Sequence, residues 1–236
     1  AVTSPSDGER RGTATGALRR LVGAYASHRY RVLFYTLLVT LGAGPLLIAL
    51  RFDADLLQIF LAINLLVALL DVPGRGWRVL LLLVAAVSVG LRVAPASAVG
   101  MDVATGALAV ASVLALVAAA SATRFAMRAQ VINAEQIYAA LSVYLLAGLF
   151  FGLLHRAIEL TWPGSFAEPG AGPPARFPLS TAIYFSFVTL ATLGYGDVVP
   201  RTEVARGLAV LEAVGGQLYI AVTIARLVGA HLQPRG

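Results

Sequence analysis

Cysteine and lysine are both missing from this 236-residue chain, and charge of either sign is scarce. Without cysteine there is no disulfide framework and no thiolate metal site. Three histidines (His28, His155, His231) lie far apart and no HExxH pair occurs, which leaves little for metal or nucleophilic chemistry and argues against an enzyme. Only 13% of residues are charged against 58% hydrophobic, and mean hydropathy is +0.81. So few charges cannot cover a soluble surface, so this is a membrane composition and the lipid bilayer is an expected partner. All 18 basic residues are arginine, and the net charge of +6 reflects loop arginines. No basic stripe interleaved with aromatics occurs, so nucleic acid is not expected as a partner.

Residues 1–16 are small and polar and read as a disordered cytoplasmic tail. From Ala17 to Arg31, Leu18, Leu21, Val22 and Tyr25 recur at helical spacing opposite arginines. Two readings fit: a helix lying on the inner membrane surface, or an arginine flank that sets topology. Apolar runs then predict six spans: Val32–Leu50 (kinked at Pro45), Leu56–Leu70, Trp77–Leu91, Val103–Ala122, Ile132–Leu154 and Glu203–Ala230. Thr161–Phe177 is a Pro/Gly-rich loop, and Pro178–Ala191 is apolar but too short to span, so it reads as a re-entrant helix. With both termini cytoplasmic, twelve of the 18 arginines fall inside, in keeping with the positive-inside rule. The chain divides into a tail (1–30), a four-helix membrane domain (31–130) and a third unit (131–236).

Between the re-entrant helix and the last span stands Thr189-Leu190-Ala191-Thr192-Leu193-Gly194-Tyr195-Gly196-Asp197. A bare Gly-Tyr-Gly is often a surface turn. Here it is preceded by Thr189 and Thr192, followed directly by Asp197, and flanked by helix-length apolar stretches. The motif resembles the selectivity filter of potassium channels, TVGYG, with Leu193 in the valine position. The wider resemblance runs from Gln136 to His231, roughly the last two-fifths of the chain, and makes 131–236 a pore domain of outer helix, pore helix, filter and inner helix. It implies that the cargo, potassium, sheds water and is held by backbone carbonyls of Thr192, Leu193, Gly194, Tyr195 and Gly196, with no other cofactor. Gly194 and Gly196 can take the positive φ values that such a strand needs. The Thr192 hydroxyl is a further ligand, and Tyr195 packs behind the strand as a spring. Tyr184, Phe185, Val188, Thr189 and Asp197 fall where the family supports its filter. Val188 stands where some members carry a glutamate bonded to the filter aspartate, and Phe185 cannot donate to Asp197, so a different support is expected.

On the last helix, Gly216 matches the family's hinge glycine by an ungapped count, with Gly215 beside it. A close helix crossing explains Gly216 equally well. Gln217, Ile220 and Ile224 then line the central cavity. Glu212, a carboxylate inside a span, is a functional candidate by its cost alone; pairing with a donor near the filter is the expectation. One pore loop per chain implies a homotetramer, since the filter is a ring of four strands. The four leading helices resemble a voltage-sensor domain, yet Val103–Ala122 carries no basic residue, and Arg124 and Arg128 sit beyond it. The resemblance thus implies an all-α membrane protein with six transmembrane helices, a re-entrant pore helix and a filter. It would be a tetrameric potassium-selective channel of a plasma membrane, of bacterial inner-membrane type, conducting passively and without steep voltage gating. A weakly selective cation channel and a non-conducting accessory subunit remain open as alternatives.

Overall fold

The computed structural model describes residues 28–43, 46, 50, 54–70, 72–93, 100–128, 133–168 and 177–231. The polar tail, most of the expected interfacial helix and Pro45 lie outside the described residues. Helix α1 covers 28–43, followed by α2 (Ala54–Leu69), α3 (Arg75–Val93), α4 (Met101–Arg128), α5 (Ala134–Thr161), α6 (Leu179–Leu190) and α7 (Glu203–His231).

Among the described residues three helical stretches are long and apolar enough to cross a membrane: Thr105–Arg128, Ala134–Thr161 and Glu203–Ala230. At 1.5 Å per residue, the 28 or so residues of each longer helix reach about 42 Å, beyond the roughly 30 Å hydrocarbon layer. Helix α6, with 12 residues, reaches only about 18 Å and cannot span. Helix α4 continues past the expected end at Ala122 because the next six residues contain no Gly or Pro, which places Arg124 and Arg128 on its final turns.

Helix α5 begins at a capping box: Asn133 Oδ1 accepts from the Glu135 and Gln136 amides, and Gln136 Oε1 accepts from the Asn133 amide at 3.0 Å. Helix α4 lies along α5. Alanines recur along α4 at helical spacing, with Ala107, Ala111, Ala115, Ala118 and Ala122 all buried, a pattern that lets neighbouring helices approach closely. Buried polar groups tie the leading helices together: Asn64 Nδ2 donates to Thr40 Oγ1 at 2.8 Å, and Ser88 Oγ to the Ala107 carbonyl at 2.7 Å. At one end of the bundle, Tyr30 stacks on Phe125, and its amide donates to Glu135 Oε2 at 3.1 Å.

The fold departs from all-α at one place among the described residues. Within the expected loop Thr161–Phe177, strand β1 (Phe166–Ala167) pairs antiparallel with β2 (Val199–Pro200), in the register Phe166↔Pro200 and Ala167↔Val199. Glu159 causes the reversal that makes this pairing reachable. Its carboxylate accepts from the Gly164 amide at 2.9 Å and the Phe166 amide at 3.0 Å, folding the chain back over the end of α5. The Arg201 amide completes the tie by donating to the Ser165 carbonyl at 2.7 Å.

Candidate functional site

Two glycines one turn apart on α5 provide the seat for α6. A Cβ on Gly148 would lie 2.5 Å from Phe187 Cζ, and one on Gly152 would lie 2.9 Å from Ile183 Cα. Only a residue without a side chain admits the short helix this close. Neither glycine is among the site residues expected from the sequence, although small residues four apart in an apolar helix are a recognised signal for close packing.

The chain leaves α6 through a tight reversal in which the Thr192 amide donates to the Thr189 carbonyl at 2.9 Å and the Leu193 amide to the Val188 carbonyl at 2.8 Å. Thr192, Gly194 and Gly196 then have positive φ values of 57°, 57° and 75°. Leu193 and Tyr195, between them, do not. This is the alternation required of a strand that presents successive carbonyls to one side. Thr192 takes part in it as well as the two glycines, although a β-branched residue is not expected at positive φ.

The aspartate after the strand is held from α6. Tyr184 donates its hydroxyl to Asp197 Oδ2 at 2.7 Å, and Asp197 Oδ1 accepts from the Val198 amide at 3.0 Å. Asp197 is thus supported by Tyr184, while Val188 is buried and contributes its carbonyl to the Leu193 amide. Phe185 is buried in an aromatic cluster with Phe166 and His155, at centroid distances of 5.3 and 5.0 Å, and Phe166 stacks on Phe177 at 4.7 Å.

Glu212 faces inward from α7 and is fully buried. The partner expected near the filter proves to be a pair: His155 Nε2 lies 2.8 Å from Glu212 Oε2, and Ser186 Oγ is hydrogen-bonded to Glu212 Oε1. Neither His155 nor Ser186 was singled out in the sequence as a partner, since their contacts cross 57 and 26 residues. Gly216, one turn further along, abuts Leu190 at the end of α6, while nothing in the chain lies within 4 Å of a Cβ built at Gly215. Helix α7 runs without a break through both glycines. Further along α7, the Tyr219 hydroxyl donates to the Ala140 carbonyl at 2.6 Å, and Arg226 donates to the Ala126 carbonyl in the last turns of α4.

The opposite face of this unit is bare. Leu193 is 56% exposed and Tyr195 66%, and of the residues expected to line a cavity, Gln217 and Ile224 are exposed and Ile220 half-buried. Val210, Leu211, Val214, Leu218 and Val222 continue an exposed apolar surface along α7.

A membrane protein with a short apolar helix that leads into a strand of alternating positive φ is the class that this geometry defines. Residues 139–231 match the family model described as "Ion channel". Over 86 residues, 36% of this chain and 18% of the relative, the sequence is 34% identical to "Two pore potassium channel c" of Oryza sativa subsp. japonica. Over 96 residues, 39% of this chain and 28% of the relative, it is 32% identical to "Inward rectifier potassium channel Kirbac3.1" of Paramagnetospirillum magnetotacticum. The match spans less than a third of either curated relative. No solved structure matches. Over residues 139–231 the chain is thus similar to ion channels, and both curated relatives carry the name of a potassium channel.

Proposed function

We propose that the chain forms a homotetrameric, potassium-selective pore in a plasma membrane, of bacterial inner-membrane type, conducting passively through Thr192–Gly196. The observation that carries this reading is the alternation of positive φ at Thr192, Gly194 and Gly196. Such a strand can offer uncharged carbonyl oxygens in place of a cation's water shell. One strand supplies one side of a coordination shell, so four copies around an axis complete it.

Exposure supports the tetramer. Tyr195 and the apolar face of α7 lie uncovered in a single chain, and neighbouring copies are the natural cover for surfaces beside a shared axis. On this reading Gln217, Ile220 and Ile224 face the water-filled cavity below the filter, and α1–α4 form a collar around the pore. The six spans comprise α1 to α5 and α7, with α6 re-entrant and both termini cytoplasmic. Arg124, Arg128 and Arg226 then share the cytoplasmic side, where the Arg226 guanidinium meets the carbonyl end of α4.

The test is ion flux into proteoliposomes holding the purified chain, alongside its native mass. Potassium-driven flux far above sodium flux, from a species of four chains, is the expected result. Conduction by a monomer or dimer would reject the arrangement.

A further inference from the structure

Three fully buried polar side chains from three helices meet beside the filter helix: His155 of α5, Ser186 of α6 and Glu212 of α7. Ser186 Oγ is hydrogen-bonded to Glu212 Oε1 and lies 2.7 Å from the Gly148 carbonyl oxygen. A hydroxyl carries one proton. If Glu212 were ionised, both neighbours of that hydroxyl would be acceptors, and one contact would hold no proton. A proton on Glu212 Oε1 resolves the arrangement. The acid donates to Ser186, Ser186 donates to the Gly148 carbonyl, and His155 donates from Nε2 to Glu212 Oε2.

His155 gives the same answer independently. Its Nδ1 is buried without a hydrogen-bond partner among the described residues, against the Phe166 and Phe185 rings at 5.2 and 5.0 Å. An imidazolium would bury an N–H there with no acceptor, whereas a ring protonated only at Nε2 leaves a lone pair. Besides His155, the Tyr144 phenol of α5 lies within electrostatic reach of Glu212, and from α6 Glu212 meets the Ser186 hydroxyl. A neutral cluster also avoids placing two desolvated charges within the bilayer.

We propose that Glu212 is held as the neutral carboxylic acid and acts as a positioning residue. Its proton fastens α7 to α6 through Ser186, and its other oxygen fastens α7 to α5 through His155. The outer half of the inner helix is thereby fixed to the helix that delivers Thr192 to the filter. The positioning role rests on the pore reading above; the protonation state does not.

Infrared difference spectra of the full chain in liposomes, wild type minus Glu212→Gln, test the chemistry. A protonated-carboxyl C=O band that shifts on deuterium exchange and is missing from the variant is expected. No such band would overturn the proposal whether or not the protein conducts, so this failure is distinct from failure of the pore reading. The same variant tests the positioning role. A glutamine amide can donate to Ser186 and accept from His155, so the potassium-to-sodium permeability ratio should stay within about twofold of wild type, whereas Glu212→Leu should lower it about tenfold. In a preparation that does not conduct, thermal stability should follow the same order. A Glu212→Gln protein as damaged as Glu212→Leu would point to an ionised pair and overturn the proposal.

Discussion

Gly216 of α7 meets Leu190, the last residue of α6, so closely that a Cβ on the glycine would stand 2.7 Å from Leu190 Cδ1 and 2.9 Å from its carbonyl oxygen. A side-chain methyl can rotate away, but the carbonyl is backbone and lies within the hydrogen-bonded reversal of residues 188–193, so it yields less readily. Gly216→Ala should therefore destabilise the protein by about 1–3 kcal/mol through overpacking. Gly215→Ala meets nothing in the chain and should be neutral, or stabilising by up to about 1 kcal/mol through helix propensity. Thermal denaturation of both variants in one detergent distinguishes them, and equal effects would contradict the close crossing.

Tyr184→Phe removes the only side-chain donor to Asp197 among the described hydrogen bonds while keeping the ring. A net contribution of about 1 kcal/mol corresponds to a factor of about five between conducting and collapsed filters. Sustained currents should decay correspondingly faster in the variant. Decay at the wild-type rate would show that the Tyr184–Asp197 bond plays no part in holding the filter.

Voltage should gate the pore weakly, if at all, through α4. Its stretch Val103–Ala122 has no basic residue, and Arg124 and Arg128 lie on its last turns. One charge crossing the whole field is worth about 2.3 kcal/mol per 100 mV, and steep gating takes roughly 3–4 charges per subunit. Two arginines moving through part of the field fall short. A conductance–voltage curve with a slope of several charges per subunit, abolished by neutralising both, would refute this.

The sequence made the architecture legible where hydropathy and length carry the signal. The long apolar runs became α4, α5 and α7, and Pro178–Ala191 became the short α6. Gly194 and Gly196 were readable because positive φ selects glycine. The contacts that hold the site were much less legible. Tyr184 and Asp197 meet only because the chain reverses between them, and His155, Ser186 and Glu212 converge from three helices. The pairing of Phe166–Ala167 with Val199–Pro200 hangs on Glu159, whose role depends on a turn that composition shows only as a Pro/Gly-rich loop. Gly148 and Gly152 were visible in the sequence, but what they admit was not.

The most direct measurement of the central claim is the reversal potential of the reconstituted chain with potassium on one side of the membrane and sodium on the other. A strand that replaces potassium's water shell with the carbonyls of Thr192–Gly196 should favour potassium at least about tenfold, displacing the reversal potential well away from zero towards the potassium equilibrium. A reversal potential near zero, with current carried equally by both ions, would contradict a potassium-selective filter.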